Sequence, residues 1–271
     1  MWTAGADHTL FDFSLDEMDA LTDVLDIQSW PVVLELTSRQ ESTSARRAAI
    51  ESGLRSLAER KLIVEGDVID DVVLAVRSLI RPDVEVEVRF IGPDDAPLRR
   101  ATVCRSGVWN SCVLRSEDRI TIRSIDVLST EMLADRVADI VGVYEPVRIG
   151  GISAPTADLV ARLDECATAT DVAQALHALG AAEADTTAAA LAFAECGARV
   201  EIVAYELVEG TSTQSSGAVA VYCTPRGAMV TSPSQSSDGR LWTTISPGSS
   251  HRIRQAIARL IETLPTGRWV P

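Results

Sequence analysis

The sequence predicts an α+β fold in which one unit of helices and antiparallel strands occurs twice. Three observations predict it. The hydrophobic period changes along the chain between the helical 3.6 and the strand value of 2, two groups of four short strand-like segments are each followed by an apolar-striped helix, and the two groups match at a nearly constant spacing. The duplication predicts a pseudo-two-fold molecule in which the two antiparallel meanders are joined or packed in the middle, with the helices around them.

The first half opens with helical signals. Ser14 to Glu17 have the S-x-x-E form of a capping box. The β-branched run from Val32 to Leu36 follows a Pro-containing break and predicts a short strand. Apolar residues at helical spacing predict helices over about residues 15–25, 44–60 and 67–80.

Four strands are predicted next in the first half. From Val84 to Phe90 apolar residues alternate with charged ones, which is typical of a half-buried strand. The turn at Gly92 to Pro97 leads into LRRATVC, GVWNSCVL and RITIRSI, so that an antiparallel meander is expected, closed by a helix over 130–141.

The second half repeats this order. Helices are predicted over about 156–166, 170–179 and 183–195, strands at RVEIVAYEL, AVAVYC, AMVTS and LWTTIS, and a last helix over 249–264. A polar loop is expected from Glu209 to Gly217. The predicted organisation is an N-terminal half at 1–147, a linker at 148–155 and a C-terminal half at 156–271, the two halves forming one compact domain.

The repeat is most exact in the two closing helices. Four apolar residues of the last helix each lie 120 positions after an apolar residue of the first-half helix; the pairs are Leu133 and Ile253, Val137 and Ile257, Ile140 and Leu260, and Val141 and Ile261. Chance similarity is the alternative, since strand and helix patterns of this kind are common.

Composition excludes several classes of partner. The chain has 271 residues and a net charge of −14, which repels nucleic acid and anionic membranes. No stretch reaches the roughly 18 uninterrupted apolar residues of a membrane span, and the start lacks the pattern of a signal peptide. We therefore expect a cytoplasmic protein without nucleic-acid binding or membrane insertion.

Cysteines and histidines give little sign of metal or redox chemistry. The five cysteines are an odd number without C-x-x-C spacing, so reduced and mostly buried thiols are expected, with a disulfide or a metal cluster as the alternative. The three histidines lie far apart and none is spaced from a cysteine as a ligand pair.

The familiar motifs of nucleotide-binding and hydrolytic enzymes do not occur in the sequence. Acidic clusters at Asp16 to Asp19 and at Asp70-Asp71 fall on predicted helices, where solvated faces or caps are the simpler interpretation. Cys104 and Cys112 are candidate nucleophiles only if a base approaches them. No catalytic residue, cofactor or metal is predicted.

The segment Pro247-Gly248-Ser249-Ser250 has the composition of a phosphate cradle at a helix N-terminus. Its first-half counterpart, Val127 to Thr130, keeps the hydroxyl residues but not the proline and glycine. What is common to the two copies is therefore a Ser/Thr helix cap, and we interpret Ser249-Ser250 in this way.

Two pairs of features are candidates for contact with a partner protein. Trp109 and Trp242 lie on strands at related places in the two halves, as core residues or as interface anchors. The segments Gly92 to Pro97 and Glu209 to Gly217 both follow the first strand of a meander. Such loops are commonly only solvated and mobile, but as a pair they are the first candidates for binding.

The order of several short pieces is similar to a known family. TPRG, DGRLW, SPGS and LPTGRW follow VEIVAYE in the second half, and FSLDEMDAL, WPVVLEL and RPDVEVEVRF occur in the first. In this order, from about Phe11 to Trp269, they resemble the EspG family, the ESX (type VII) secretion-associated chaperones of mycobacteria and related actinobacteria. That family has a pseudo-two-fold α/β fold with a central antiparallel sheet and helical bundles.

The resemblance implies a chaperone and not an enzyme, one that binds PE–PPE heterodimers in the cytoplasm at the tip of the PPE protein before export. It implies contact through the loop after the first strand, the central sheet and the C-terminal helices. The free protein would be a monomer or a homodimer. The alternatives are a scaffold of the same fold that binds another protein, and an enzyme with an unrecognised site. The candidate partner-binding residues are Gly92, Pro93, Asp94, Asp95, Ser212, Thr213, Gln214 and Arg226.

Overall fold

A computed structural model describes residues 10–37 and 39–270. The chain divides into two compact units: the first comprises residues up to Glu87 together with Pro97–Asp126, and the second comprises Val88–Ala96 together with the chain from Val127 onward.

The helices are α1 (Leu15–Val24), α2 (Thr43–Glu59), α3 (Asp70–Ile80), α4 (Thr130–Val141), α5 (Thr156–Leu163), α6 (Ala169–Ala178), α7 (Glu183–Ala194) and α8 (Ser250–Glu262). The strands are β1 (Leu10–Ser14), β2 (Ile63–Val64), β3 (Asp67–Val68), β4 (Val84–Ile91), β5 (Arg99–Ser106), β6 (Trp109–Ser116), β7 (Arg119–Ile125), β8 (Ile152–Pro155), β9 (Ala198–Val208), β10 (Thr211–Gln214), β11 (Val219–Thr224), β12 (Gly227–Gln235) and β13 (Leu241–Pro247).

The sheet of the first unit has the order β1-β7-β6-β5-β4, and β2 and β3 form a separate hairpin. β1 pairs antiparallel with β7, so that Phe13 lies opposite Ile120. α3 packs on β5, β6 and β7, and α1 packs on α2. The core of this unit is formed by apolar side chains from α1, α2, α3 and one face of the sheet.

The start of α1 is fixed as the capping box predicts. The Ser14 Oγ accepts from the Glu17 backbone N–H at 3.2 Å, and the Ser14 N–H donates to the Glu17 carboxylate at 2.7 Å. Glu17 is 2% exposed and also accepts hydrogen bonds from Ser56 and Arg60 on and beside α2, both at 2.7 Å. One carboxylate therefore caps α1 and joins it to α2.

The sheet of the second unit has the order β9-β11-β12-β13-β8, and β10 pairs with β9. α8 packs on β12 and against α4. Met229 and Ile245 lie in an apolar cluster with residues of α5, α6 and α7. Since Ala228 and Val230, the neighbours of Met229, are also buried, both faces of β12 are covered.

The predicted α+β class is confirmed, and the order of elements occurs twice. In each half, four meander strands precede a helix whose four predicted stripe residues are buried; in the second half these strands are β9, β11, β12 and β13. Each half also begins with a short strand that pairs with the last strand of its own meander, β1 with β7 and β8 with β13. The sequence boundaries at 147 and 156 remain a prediction.

Four local predictions were wrong. Val32–Leu34 form a 3₁₀ turn and not a strand. Ile152–Pro155, within the predicted linker, form β8, and Thr211–Gln214, within the predicted loop, form β10. Trp109 and Trp242 do not occupy equivalent places, because one begins the third strand of its meander and the other lies on the fourth.

The 3₁₀ turn has a specific physical cause. Arg115, 8% exposed on β6, donates to the carbonyl oxygens of Leu34 at 2.6 Å and Glu35 at 2.9 Å. Glu35 has a positive φ of 50°, which ends the turn. The backbone acceptors that a strand would present to a neighbour are thus used by a buried arginine, and β-branched composition alone does not reveal this.

Candidate partner-binding surface

The segment Gly92 to Pro97 forms a short exposed turn between β4 and β5. The Ala96 N–H donates to the Pro93 carbonyl oxygen at 2.8 Å and closes it. Asp94 and Asp95 lie at its tip, both exposed. The turn therefore presents two carboxylates on a short, closed backbone, which suits a basic surface on a partner.

The second predicted loop is an ordered hairpin. β9 and β10 are joined by Glu209 and Gly210, which have φ values of 50° and 81°. Two successive positive φ angles are typical of the tight type I′ turn, which matches the twist of the paired strands. Thr211 lies opposite Val208, so the pairing starts directly at the turn. A mobile loop was expected here, and the structure instead has a two-stranded ribbon.

Alternation divides the side chains of this ribbon between two sides. Ser212 lies opposite Leu207 and Gln214 opposite Tyr205, while Thr213 lies opposite Glu206. Leu207 is 48% exposed, whereas Glu206 is 5% exposed. We call the outward side, formed by Tyr205, Leu207, Ser212 and Gln214, the ribbon surface. Of the three predicted residues on β10, Thr213 lies on the other side.

The inward side of the ribbon is anchored to the C-terminal segment. The Glu206 carboxylate accepts hydrogen bonds from the Thr266 backbone N–H at 2.9 Å and from the Thr266 hydroxyl at 2.6 Å. Beyond β10, the Ser215 N–H donates to the Ala204 carbonyl oxygen at 2.8 Å, and the Ser215 hydroxyl donates to the Gly217 carbonyl oxygen at 2.8 Å. These contacts fix the ribbon before any partner binds.

Arg226 lies away from the ribbon surface. It follows β11, whose Cys223 pairs with Ala198 at the start of β9, and Ser212 pairs with Leu207 near the end of β9. Nine residues of strand separate these two positions, or about 30 Å. Arg226 forms an ion pair with Glu195 at 2.7 Å. The predicted residues of the second half are therefore not brought together into one site.

Leu207 was not among the predicted contact residues, although the sequence contains a signal for it. The strand RVEIVAYEL has Val200, Ile202 and Ala204 on one face, and all three are buried. The opposite face ends in Leu207, an apolar residue that this alternation does not place in the core. Leu207 is therefore an exposed apolar residue on a paired strand, opposite the exposed Ser212 of β10.

The pieces TPRG and SPGS serve the backbone of the fold. Gly227 has a φ of 114°, and a Cβ there would lie 2.7 Å from the Glu145 carbonyl oxygen; a Cβ on Gly248 would lie 2.6 Å from the Cβ of Ala228. The Gly248 N–H donates to the Ala228 carbonyl oxygen at 2.8 Å. Both glycines are required because two chain segments pass close to the start of β12.

The Ser249 hydroxyl caps α8. Its Oγ accepts from the Arg252 N–H at 3.4 Å, and in the first half the Ser129 Oγ accepts from the Met132 N–H at 3.2 Å. This confirms the interpretation as a helix cap. Gly248 packs against the backbone of Ala228, so this segment has no glycine free to surround a bound anion.

Cys104 lies fully buried in the first unit, with its Sγ 3.7 Å from the Glu85 carboxylate. Burial, with the nearby Glu85 charge, raises the pKa of this thiol well above its usual range, so it stays protonated at neutral pH and is a poor nucleophile. All five cysteines are free thiols. Over residues 10–37 and 39–270, no three His, Cys, Asp or Glu side chains are grouped to hold a metal ion.

In the same described ranges, no helix combines the length and apolar character needed to cross a bilayer.

A sequence model of the EspG family matches residues 14–259. The chain belongs to the EspG family. Two curated relatives extend the match to nearly the whole chain: the ESX-3 secretion-associated protein EspG3 of Mycolicibacterium smegmatis is 26% identical and the ESX-1 secretion-associated protein EspG1 of Mycobacterium tuberculosis is 28% identical, each covering 96% of this chain and 89% of the relative.

A solved EspG structure has the same fold. It is that of the Mycobacterium tuberculosis type VII secretion system chaperone EspG5 in complex with PE25-PPE41 dimer, and it superposes with a TM-score of 0.81, 18% sequence identity, and coverage of 96% of this chain and 99% of EspG5. The TPRG and SPGS pieces that resemble this family lie at the backbone contacts described above.

Proposed function

We propose that this EspG-family chain is a type VII secretion chaperone that binds PE–PPE heterodimers in the cytoplasm, through the tip of the PPE protein, and keeps them soluble for export. The observation that carries the proposal is the family match over residues 14–259 together with the shared fold of EspG5, a protein solved in complex with a PE25-PPE41 dimer. This function requires a surface complementary to the partner and does not require catalytic residues.

The ribbon surface supports this proposal because it is ordered in advance. A partner that binds Leu207 and the flanking Ser212 and Gln214 does not have to order a flexible loop, so less conformational entropy is lost on binding. Leu207 offers an apolar contact of the kind that would cover an exposed apolar tip and suppress its self-association. We propose the ribbon surface as one contact region for the PPE protein.

The acidic turn is a second contact region in the proposal. Asp94 and Asp95 carry charge at the end of a short closed turn, where they would pair with basic side chains of the partner. Exposed ion pairs contribute only about 0.2–1 kcal/mol each, so their role is to favour one orientation of the partner. Arg226, paired with Glu195, is proposed only as a more distant contact.

Co-expression tests the proposal. The chain is produced with each PE–PPE pair encoded in its source genome, and the expected result is a soluble three-component complex that survives size-exclusion chromatography with its cognate pair. A folded chain that captures a different protein from source lysate, and no PE–PPE pair, would replace the proposed function by a scaffold role.

A further inference from the structure

The strand β10, on the outward ribbon, has one unpaired edge. It pairs with β9 on one side. On its other side no strand of the described ranges continues the sheet. The side chains of Ser212 and Gln214 are exposed, so a partner can reach this edge without any movement of the ribbon.

The hydrogen-bond pattern of the ribbon shows which backbone groups lie on this edge. In an antiparallel pair, only every second residue is hydrogen-bonded to the opposite strand. Directly after β10, the Ser215 N–H donates to the Ala204 carbonyl oxygen at 2.8 Å. This bond continues the register of Gln214 with Tyr205. The N–H and C=O groups of Ser212 and Gln214 therefore point away from β9.

These outward groups have no hydrogen-bond partner elsewhere in the described part of the chain. They form two donors and two acceptors, with the two residues about 6.6 Å apart along the strand. Sheets commonly protect an open edge with a charged side chain or a proline. β8, at the edge of the same unit's sheet, ends in Pro155, whereas β10 contains neither a charge nor a proline. Such an edge can pair with an extended segment of another protein.

We propose that an extended segment of the PPE protein adds to the open edge of β10 as a further strand. This inference rests on the proposed chaperone function, since it states how that partner binds at the ribbon surface. The residue of the segment opposite Ser212 exchanges two backbone hydrogen bonds with it, and its side chain lies on the ribbon surface. Because Ser212 is small, an apolar side chain there reaches toward Leu207, which is 48% exposed. The net charge of −14 disfavours an acidic segment.

The variant Ser212→Pro tests the backbone contact. It removes the outward N–H and keeps the pairing with β9, because proline is tolerated in an edge strand where its nitrogen faces solvent. Ser212→Ala is the matched variant, since it removes the same hydroxyl but keeps the N–H. Titration calorimetry with the cognate PE–PPE pair is expected to show binding about tenfold weaker for the proline variant than for the alanine variant. Circular dichroism establishes that both are folded.

Amide hydrogen exchange of the wild-type chain gives a second readout, which a contact through side chains alone would not change. In the free chain, the amides of Thr211 and Thr213 are expected to be protected by β9, and those of Ser212 and Gln214 to exchange fast. In the complex, protection of the latter two amides should rise at least about tenfold.

The outcomes separate the strand addition from the chaperone function. A complex that forms while the Ser212 and Gln214 amides stay unprotected, or equal affinities of the two Ser212 variants, overturns the strand addition and leaves the chaperone function in place. Failure of every PE–PPE pair of the source genome to bind the folded chain overturns both.

Discussion

Gly227 and Gly248 bring two chain segments against the same residue, Ala228. The Val147 and Gly248 N–H groups both donate to the Ala228 carbonyl oxygen, at 2.9 and 2.8 Å. A side chain at either glycine would therefore contact backbone that is itself hydrogen-bonded. These positions are conformational requirements of the fold, and family resemblance at them says little about which partner is bound.

Gly248→Ala is expected to destabilise the protein by about 1–3 kcal/mol, since the new Cβ overlaps the backbone and Cβ of Ala228. Urea unfolding followed by circular dichroism measures the change. The control is Gly197→Ala, because nothing lies within 4 Å of a Cβ there. Equal stabilities of the two variants would contradict the steric account of the SPGS piece.

Glu85 links stability to pH. Burial raises its pKa from 4.5 to about 7, the nearby Glu87 carboxylate adds to the rise, and the hydrogen bond from Cys104 opposes it. The folded chain therefore keeps this proton up to about pH 7, whereas the unfolded chain releases it near pH 4.5. Because the folded state binds more protons in this window, its stability falls as pH rises through it.

Glu85→Gln removes the titrating group and is expected to reduce this loss of stability. The free energy of unfolding of the variant, relative to that of the wild type, should rise by on the order of 1–3 kcal/mol from pH 4.5 to pH 7.5. Urea titrations at several pH values measure the difference, with the exposed Glu59→Gln as control. A difference that does not change with pH would show that folding does not raise the pKa of Glu85.

Among the elements of the second unit, the β9–β10 ribbon is anchored on its inward side by the buried Glu206 carboxylate. Glu206 lies on the inward side and accepts both hydrogen bonds from Thr266, which connects the ribbon to the LPTGRW segment. Trp269 in that segment is fully buried. The outward ribbon surface therefore depends on a contact made on the opposite side of the same strands.

Glu206→Ala is expected to destabilise the chain by about 2–3 kcal/mol, since two hydrogen bonds to a buried charged group are lost. Hydrogen exchange at the amides of Thr211–Gln214 should accelerate more than exchange at β1. Glu201→Ala, on the partly exposed side of β9, is the control. Unchanged protection of β10 in a folded Glu206→Ala chain would mean that strand pairing alone orders the ribbon.

Elements with strong local signals were predicted correctly. The capping box of α1 and the stripes of α4 and α8 need only residues close in sequence, and all three occur as predicted. The 3₁₀ turn at Val32–Leu34 depends on Arg115, about 80 positions away. No local pattern contains that contact, so the β-branched run indicated a strand wrongly.

The missed strands are short or polar, so that pairing and not composition forms them. β8 has four residues and extends the sheet beyond β13, and β10 consists of Thr, Ser, Thr and Gln, which are common in loops. β10 forms because β9 continues beyond its pairing with β11 and presents free backbone groups. For the proposed ribbon surface, the sequence indicated Ser212 and Gln214 but not Leu207.

For the molecule as a whole, the proposed binding of PE–PPE proteins depends on exposed side chains, among them those of the ribbon surface. Leu207→Glu places a charge at the centre of the ribbon surface and is expected to weaken PE–PPE binding about tenfold or more, because a carboxylate would be desolvated in the contact. Titration calorimetry with the cognate pair measures the affinity. Val64→Glu, at a similarly exposed apolar position of the β2–β3 hairpin, is the matched control. Equal affinities of the two variants would remove the ribbon surface from the contact.

The proposed chaperone function is tested by the mass of the complex that forms on co-expression. The chain is purified with each PE–PPE pair of its source genome, and the mass is measured by light scattering during size-exclusion chromatography. With the cognate pair, we expect one chaperone, one PE and one PPE chain in a single soluble species. A folded chain that elutes at 29.1 kDa, or at twice that mass, without PE or PPE protein for every pair would contradict it.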